Sequence, residues 1–497
     1  EPQRISLLNA LSDVKILDPA CGSGAFPMGC LHKIILALQK LDTDASWWKA
    51  KLISGVKGNE IAKQFLKEKL DNSNSDYIRK LGVIQNSIYG VDIQPIAAEI
   101  SKLRSFLSLV IDENIDDNHP DGNRGILPLP NLEFKFVTAN TLIGLDEGTS
   151  NKTLQMDFGE TETAIDELQD IRDNYLQTNG KDKDLLKKQF EQKQNEIAKK
   201  EFGSGVTNAK TLQIISWKPF SNEGSSWFDP KWMFGVEKFD IVIGNPPYGA
   251  KISLEEKKLF NSIYKHQDYQ LDTYLLFIEK SFQLMKPGAL NAYIIPNTWL
   301  INLKLEKFRK YIVEDNTVLK IVHYYKSVFE NAVVDTQVVI LKKLKNENNL
   351  VDILEYFKIE NPKITTINQD KWKKLNGEPI NIFITENIQQ IIDKMKIVSI
   401  PLNNICDVVN GMKPYEIGKG IPVQTKKMVT ERVYDAEYKI DDSYRELLRG
   451  KDINKYVTLW DGKRWIKYGD NLGAPRYSAN FDLPEKIVIR QTSDRLI

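Results

Sequence analysis

The chain is poor in the residues that mark several common kinds of protein. Among its 497 residues only Cys21, Cys30 and Cys406 are cysteines, at no metal-like spacing, which argues against a disulfide scaffold or a structural zinc site. Its four histidines, His32, His119, His266 and His323, cluster with nothing catalytic and read as structural, so no metal site is expected. No apolar run approaches the ~20 residues of a membrane span. A cytoplasmic protein without a signal peptide or a membrane partner is expected. Excess charge is also missing: 68 Lys and Arg stand against 67 Asp and Glu, a net charge of +1, so any polyanion must be met by a local basic surface. A Gly-x-Gly-x-x-Gly fingerprint is absent, because Pro27 takes the third position after Gly22 and Gly24, and no Gly-Lys-Ser/Thr phosphate loop occurs. Both absences disfavour nicotinamide and nucleoside-triphosphate enzymes.

What is present suits a globular protein of roughly two to four domains: 41% of the residues are hydrophobic and 27% charged. The chain opens on Glu1 without a methionine and closes on Arg495-Leu496-Ile497 just after a strand-like run, and it reads as part of a longer polypeptide. In the first third, short apolar strands (Val14–Leu17, Ile88–Asp92, Phe134–Val137) alternate with helical patterns (to Lys40, and Pro95–Val110), as in a doubly wound α/β sheet. Residues 146–215 turn polar and charged, with a helical run near Leu185–Lys199, and are expected to form a helical insertion. A fourth strand ends at Gly244. A helix from Asp272 to Met285 is expected to stop at Lys286-Pro287-Gly288, followed by a fifth strand Ala292–Ile295 and an antiparallel pair, Val318–His323 with Val338–Leu341. Beyond 345 the alternation stops. The expected organisation is therefore an α/β domain over 1–345 and a smaller, incomplete α+β domain over 346–497.

The most informative stretch is Phe239-Asp-Ile-Val-Ile-Gly-Asn245-Pro246-Pro247-Tyr248. A buried-strand run delivers an amide, two prolines and an aromatic to the strand's carboxyl end, where open α/β sheets place ligand chemistry. The Asn245 side chain and the Pro246 carbonyl can each accept one hydrogen of an exocyclic amine, proline removes a competing N–H, and Tyr248 offers a ring face for stacking. A plain Pro-Pro turn is the alternative. Asp18-Pro-Ala20-Cys-Gly22-Ser-Gly24 follows the first strand and opens a helix, so backbone can approach a ligand there, although a structural turn would look the same. Asp92 ends the second strand, where a carboxylate can hold a ribose, and Ile93 follows it. Its distance from Gly24 far exceeds the usual ~20 residues, which implies an insertion. Asn140-Thr141 lies past the third strand, as a ligand-edge pair or a turn.

This ordered set resembles the amino-group DNA methyltransferases of the N6-adenine, gamma type, over roughly residues 14–345. The methyltransferase regions of type IIG restriction–modification polypeptides also carry a segment like Trp227-Phe228-Asp229-Pro230. The resemblance implies S-adenosylmethionine as cofactor, with Asp18, Gly22 and Gly24 at its methionine part, Asp92 at the ribose and Asn140 at the adenine, and with Ala20, Ile93 and Thr141 among the cofactor-binding residues. It implies that Asn245, Pro246, Pro247 and Tyr248 hold a flipped adenine of double-stranded DNA, with Phe329 of Val328-Phe329-Glu330 clamping the other face. Methyl transfer of this kind uses no metal; Mg2+ would enter only with a nuclease domain upstream. The residues before Asp18 do not show the further cofactor-lining segment of that group. Ribosomal RNA and protein glutamine methyltransferases share Asn-Pro-Pro-Tyr and remain alternatives, as does a non-catalytic DNA-specificity module.

The carboxyl-terminal part interleaves aromatics with charge. Residues 449–476 hold seven basic and three acidic residues, with Arg449, Lys451, Lys463, Arg464, Lys467 and Arg476 among Tyr456, Trp460, Trp465 and Tyr468. Basic and aromatic side chains together suit phosphate contact and groove readout, whereas an ordinary half-exposed sheet surface is the alternative. Gly411–Tyr415 and Leu448–Ile453 resemble segments of target-recognition domains in the same family.

Overall fold

The computed structural model describes residues 1–55, 60–71, 73–113, 131–146, 158–177, 182–203, 208–221, 223–267, 271–325, 335–357, 361–384 and 386–490. The chain divides into two compact units, Glu1–Ile382 and Phe383–Ile497.

The first unit is built on one sheet of nine strands: β1 (Ile16–Asp18), β2 (Ile88–Asp92), β3 (Phe136–Thr138), β4 (Phe239–Gly244), β5 (Met285–Pro296), β6 (Thr317–Tyr324), β7 (Thr336–Lys342), β8 (Leu350–Tyr356) and β9 (Lys363–Asn368). Their spatial order is β3-β2-β1-β4-β5-β7-β6-β8-β9. The strands from β3 to β5 run parallel, and β7 lies antiparallel between β5 and β6. The chain leaves β1 toward β2 and β3, then returns to lay β4 on the other side of β1. The crevice beyond the carboxyl ends of β1 and β4 is therefore the topological switch point.

Side-chain alternation explains why both sheet faces are covered. Ile16, Ile88, Phe136, Ile241 and Ile243 point to one face and pack with the helices Ala25–Leu41 and Ser75–Asn86. Leu17, Tyr89, Val91, Val137 and Val242 point to the other, toward the helices Phe158–Gln177, Asp182–Gly203 and Thr273–Leu284. With helices on both sides, the residues at these positions are apolar on both faces, and each such burial is worth about 1.5–3 kcal/mol. The wide separation of Asp92 from Gly24 is taken up by helices, Ser46–Ser54, Glu60–Asp71 and Ser75–Asn86. The expected helical insertion contains Phe158–Gln177, Asp182–Gly203 and Ala209–Ser216.

Two expectations need correction. Lys286-Pro287-Gly288 does not separate a helix from a strand; it lies inside β5, where Gly288 takes φ +79 and donates its N–H to the Lys343 carbonyl. The domain boundary is not at 345/346, because β8 and β9 extend the same sheet and the division falls between Ile382 and Phe383. Val351 and Ile353 fill the β8 core positions, but Asp352 between them and Glu355 after them hide the strand in the sequence.

The second unit holds a helix over Glu386–Val398, a small sheet of Asp435–Ala436, Tyr444–Glu446 and Trp465–Lys467, and a hairpin of Ile453–Asn454 with Val457–Thr458. Leu447, Ile466 and Leu472 form its buried centre.

Candidate functional site

β1 ends at Asp18, and the turn after it is tied to β2 rather than to itself. The Cys21 N–H donates to the Val91 carbonyl at 2.9 Å, and the Gly22 N–H donates to Asp92 Oδ2 at 2.8 Å. Gly22 and Gly24 both take left-handed backbone, φ +53 and +79, which glycine adopts at little cost. Gly24 also admits Ser101, whose Oγ would lie 2.9 Å from a Cβ at that position, and the Ser101 hydroxyl donates to the Gly22 carbonyl. The other Asp92 oxygen accepts from the Gln94 N–H at 2.8 Å. Both carboxylate oxygens thus hold backbone, and each keeps a lone pair for a hydroxyl.

Asp18 is 2% exposed. Its Oδ1 accepts from the Ala20 N–H at 3.2 Å, while Oδ2 is buried without a hydrogen-bond partner. Burial pushes its pKa up to about 8; the Ala20 N–H opposes the rise and the nearby Asp92 charge adds to it. An acidic group with one unfilled acceptor at a switch point is suited to a cationic ligand group, which would favour the ionised form.

Past β3, Thr141 is buried and its hydroxyl donates to the Pro19 carbonyl at 2.7 Å, so it braces the first loop. The Asn140 side-chain oxygen accepts from the Leu142 N–H at 3.1 Å and its own N–H donates to the Ser225 carbonyl. Ile93 is 61% exposed beside Asp92, and Ala20 is partly buried. Asp18, Ala20, Gly22, Gly24, Asp92 and Ile93 thus share one edge of the sheet with Asn140 and Thr141.

β4 delivers Asn245 to that edge, where Leu17 pairs with Val242. Asn245 Oδ1 is buried and has no hydrogen-bond partner. The following loop is clamped by the start of the helix Thr273–Leu284: the Thr273 hydroxyl donates to the Pro247 carbonyl at 2.6 Å, and the Gly249 N–H donates to Asp272 Oδ1 at 2.9 Å. Pro246 is buried, Pro247 exposed, and Tyr248 half-buried against the main core. Sequence reasoning missed this clamp, since Asp272 and Thr273 look there like an ordinary helix start. Phe329 lies outside the described residues, and so does His119. Asp229 of the Trp-Phe-Asp-Pro segment is structural: its Oδ1 accepts from the Trp232 N–H and caps a short helix. His266 stacks on Tyr311 beside Glu279, and His323 is buried in β6.

In the second unit the basic residues separate into two groups. Arg464 pairs with the buried Asp452 at 2.7 Å, Arg449 with Asp435 at 2.9 Å, and Arg476 donates to the Gly411 carbonyl at 2.8 Å. These arginines stabilise their own loops. Lys451, Lys463 and Lys467 are exposed. Among the described residues no cluster of His, Cys, Asp and Glu could hold a metal ion, and no helix is long and apolar enough to cross a membrane.

Comparison with known proteins gives a consistent set. The family described as Eco57I restriction-modification methylase matches residues 86–329. A Methanocaldococcus jannaschii protein assigned as a type II restriction enzyme and methyltransferase is 25% identical across 99% of this chain and 43% of its own length. The adenine-specific methyltransferase BrxX of Escherichia coli is 23% identical over 39% of this chain and 17% of its own. Among solved structures, the type IIL restriction-modification enzyme MmeI in complex with DNA aligns with a TM-score of 0.40 and 13% identity, over 94% of this chain and 46% of that one. The chain spans less than half the length of the first of these relatives.

Proposed function

We propose, from the match of residues 86–329 to the family described as Eco57I restriction-modification methylase, that this chain is a site-specific DNA adenine-N6 methyltransferase of a restriction–modification system. The observation that carries the reading is the buried, unpartnered Asn245 Oδ1 at the switch point, beside the equally unpartnered Asp18 Oδ2. Leaving a buried acceptor unfilled costs about 1–3 kcal/mol, and a ligand donor at each oxygen removes that cost.

The residues fit S-adenosylmethionine. Asp18, with the Gly22–Gly24 backbone, would hold the cationic methionine part, Asp92 the ribose hydroxyls and Asn140 the adenine, with Ile93 exposed beside Asp92, while Thr141 braces the first loop at Pro19, next to Ala20. Bound cofactor supplies an electrophilic sulfonium methyl. All the rest is done by the chain. An aryl amine is a poor nucleophile because its lone pair is delocalised into the ring. Asn245 Oδ1 and the Pro246 carbonyl each accept one amine hydrogen, which favours a tetrahedral nitrogen and directs its lone pair at the methyl carbon. This is positioning and electrostatics, and it needs no side-chain base. Once methylated, the nitrogen is cationic and strongly acidic, and its proton passes to water. Tyr248 stacks on the base, with Phe329 proposed for its other face. The base leaves the duplex at a cost of a few kcal/mol.

Residues 383–490 are proposed to recognise the DNA, with Lys451, Lys463 and Lys467 at phosphates. The test is transfer of a labelled methyl group to duplex DNA, RNA and protein offered in parallel. Label on adenine N6 of the duplex supports the proposal. Label confined to RNA or protein, or none at all, overturns it.

A further inference from the structure

Gly244 joins β4 to Asn245, yet its backbone lies outside the left-handed region that would demand glycine. What it lacks is room. A Cβ there would sit 2.6 Å from Asp18 Oδ1, 3.2 Å from its Cγ and 3.6 Å from its Oδ2. Ordinary contact needs about 3.5 Å, so something would have to move by roughly 1 Å.

Neither side can retreat. The Asp18 carboxyl is buried and held by the Ala20 N–H, on a strand paired on both sides. β4 is paired at the same level with β5, Gly244 opposite Tyr293, whose hydroxyl is hydrogen-bonded to Ser281. Past Asn245 the chain is pinned by Asp272 and Thr273. The carboxyl group of one half of the site therefore fills the space of the missing side chain in the other.

We propose that Gly244 is a positioning residue: by carrying no side chain it lets Asp18 stand against the strand that presents Asn245, and so sets the spacing between the methyl donor and the amine. The contact is a property of the fold, while its effect on transfer rests on the methyltransferase reading.

A double-mutant cycle tests it, using Gly244→Ala, Asp18→Ala and both together. Gly29→Ala serves as control, because an added Cβ there meets nothing within 4 Å. Melting temperature reads the contact without any ligand. Gly244→Ala lowers it in the wild-type background and leaves it unchanged in the Asp18→Ala background, where the space is free. If Gly244→Ala alone fails to fold, recovery of folding in the double variant supports the contact, and failure of the double variant overturns it. On duplex DNA, Gly244→Ala lowers the single-turnover rate on the order of 10²-fold, as a roughly 1 Å misplacement does, and weakens S-adenosylhomocysteine binding at least tenfold. Gly29→Ala changes neither. The proposal is overturned if Gly244→Ala stays within threefold of wild type in rate and affinity, or if its melting penalty is the same in both backgrounds. A wild-type chain that methylates nothing sinks the methyltransferase reading alone, since the melting cycle still decides the contact.

Discussion

Replacing Asp18 with asparagine is expected to make the protein more stable and less functional. Asp18 is 2% exposed and its pKa is pushed from 3.8 up to about 8. In the folded state it therefore keeps a proton that the unfolded chain has released. Because the folded pKa is the higher one, stability is greatest at low pH, falls as pH rises through about 4, and stops falling above about 8. One pH unit inside that window costs 1.36 kcal/mol, so the burden is about 1.6 kcal/mol at pH 5 and about 4 kcal/mol at pH 7. Asparagine keeps the acceptor for the Ala20 N–H and puts two unpartnered N–H groups where the neutral acid has one O–H, a cost that does not vary with pH, while it removes the larger ionisation cost at pH 7. Unfolding a 382-residue unit at roughly 2.1 cal/mol/K per residue gives an entropy near 0.8 kcal/mol/K, so about 4 kcal/mol is about 5 °C. Thermal unfolding at pH 4, 5, 7 and 8 checks this. Asp18→Asn should melt at or just below wild type at pH 4 and up to about 5 °C above it at pH 7. Calorimetry of S-adenosylhomocysteine in buffers of different ionisation enthalpy adds the functional half: wild type releases close to one proton at pH 7, and the variant binds weakly without release. A variant that melts at or below wild type at pH 7, or with a pH-independent offset, refutes the reasoning.

Thr273→Val removes the hydroxyl that holds the Pro247 carbonyl at 2.6 Å. It is expected to slow methyl transfer about tenfold with nucleoside affinity unchanged; stopped-flow or quench measurements and calorimetry separate the two, and equal losses in both would show a general collapse of the site. Changing Lys451, Lys463 and Lys467 together to alanine should flatten the dependence of log affinity on log salt by about 0.9 per lost phosphate contact, measured by fluorescence anisotropy on duplex DNA. An unchanged slope would place these lysines away from the phosphates.

The elements that carry ligand chemistry were the most legible ones. Ile88–Asp92 and Pro95–Val110 are where the pattern puts them, because a buried parallel strand is continuously apolar and its following helix has a proline start. Asn245 to Tyr248 and the Asp18 turn announce themselves by residue types that a plain turn does not need. The rest depended on contacts between distant parts of the chain. Asp272 and Thr273 are unremarkable until the fold brings them against Pro247 and Gly249. Gly244 looks like one more strand-end glycine until Asp18 is placed beside it. The basic tail was legible only in part: charge can be counted along the sequence, but not that Arg449 and Arg464 are spent on Asp435 and Asp452 while the lysines stay exposed. β8 was missed because Asp352 and Glu355 interrupt its apolar run, and β9 because a polar strand with no buried residue carries no apolar signal.

The central claim is that Asn245 Oδ1, buried and unpartnered, accepts a hydrogen of the target amine. The most direct measurement is mass spectrometry of nucleosides from duplex DNA after single-turnover reaction with wild type and with Asn245→Ala, at saturating cofactor. The account predicts N6-methyladenine from wild type and a loss of at least 10²-fold in its rate of formation in the variant, with S-adenosylhomocysteine affinity within threefold. Methylation of another atom by wild type, or N6-methyladenine formed at near wild-type rate without the Asn245 amide, would contradict it.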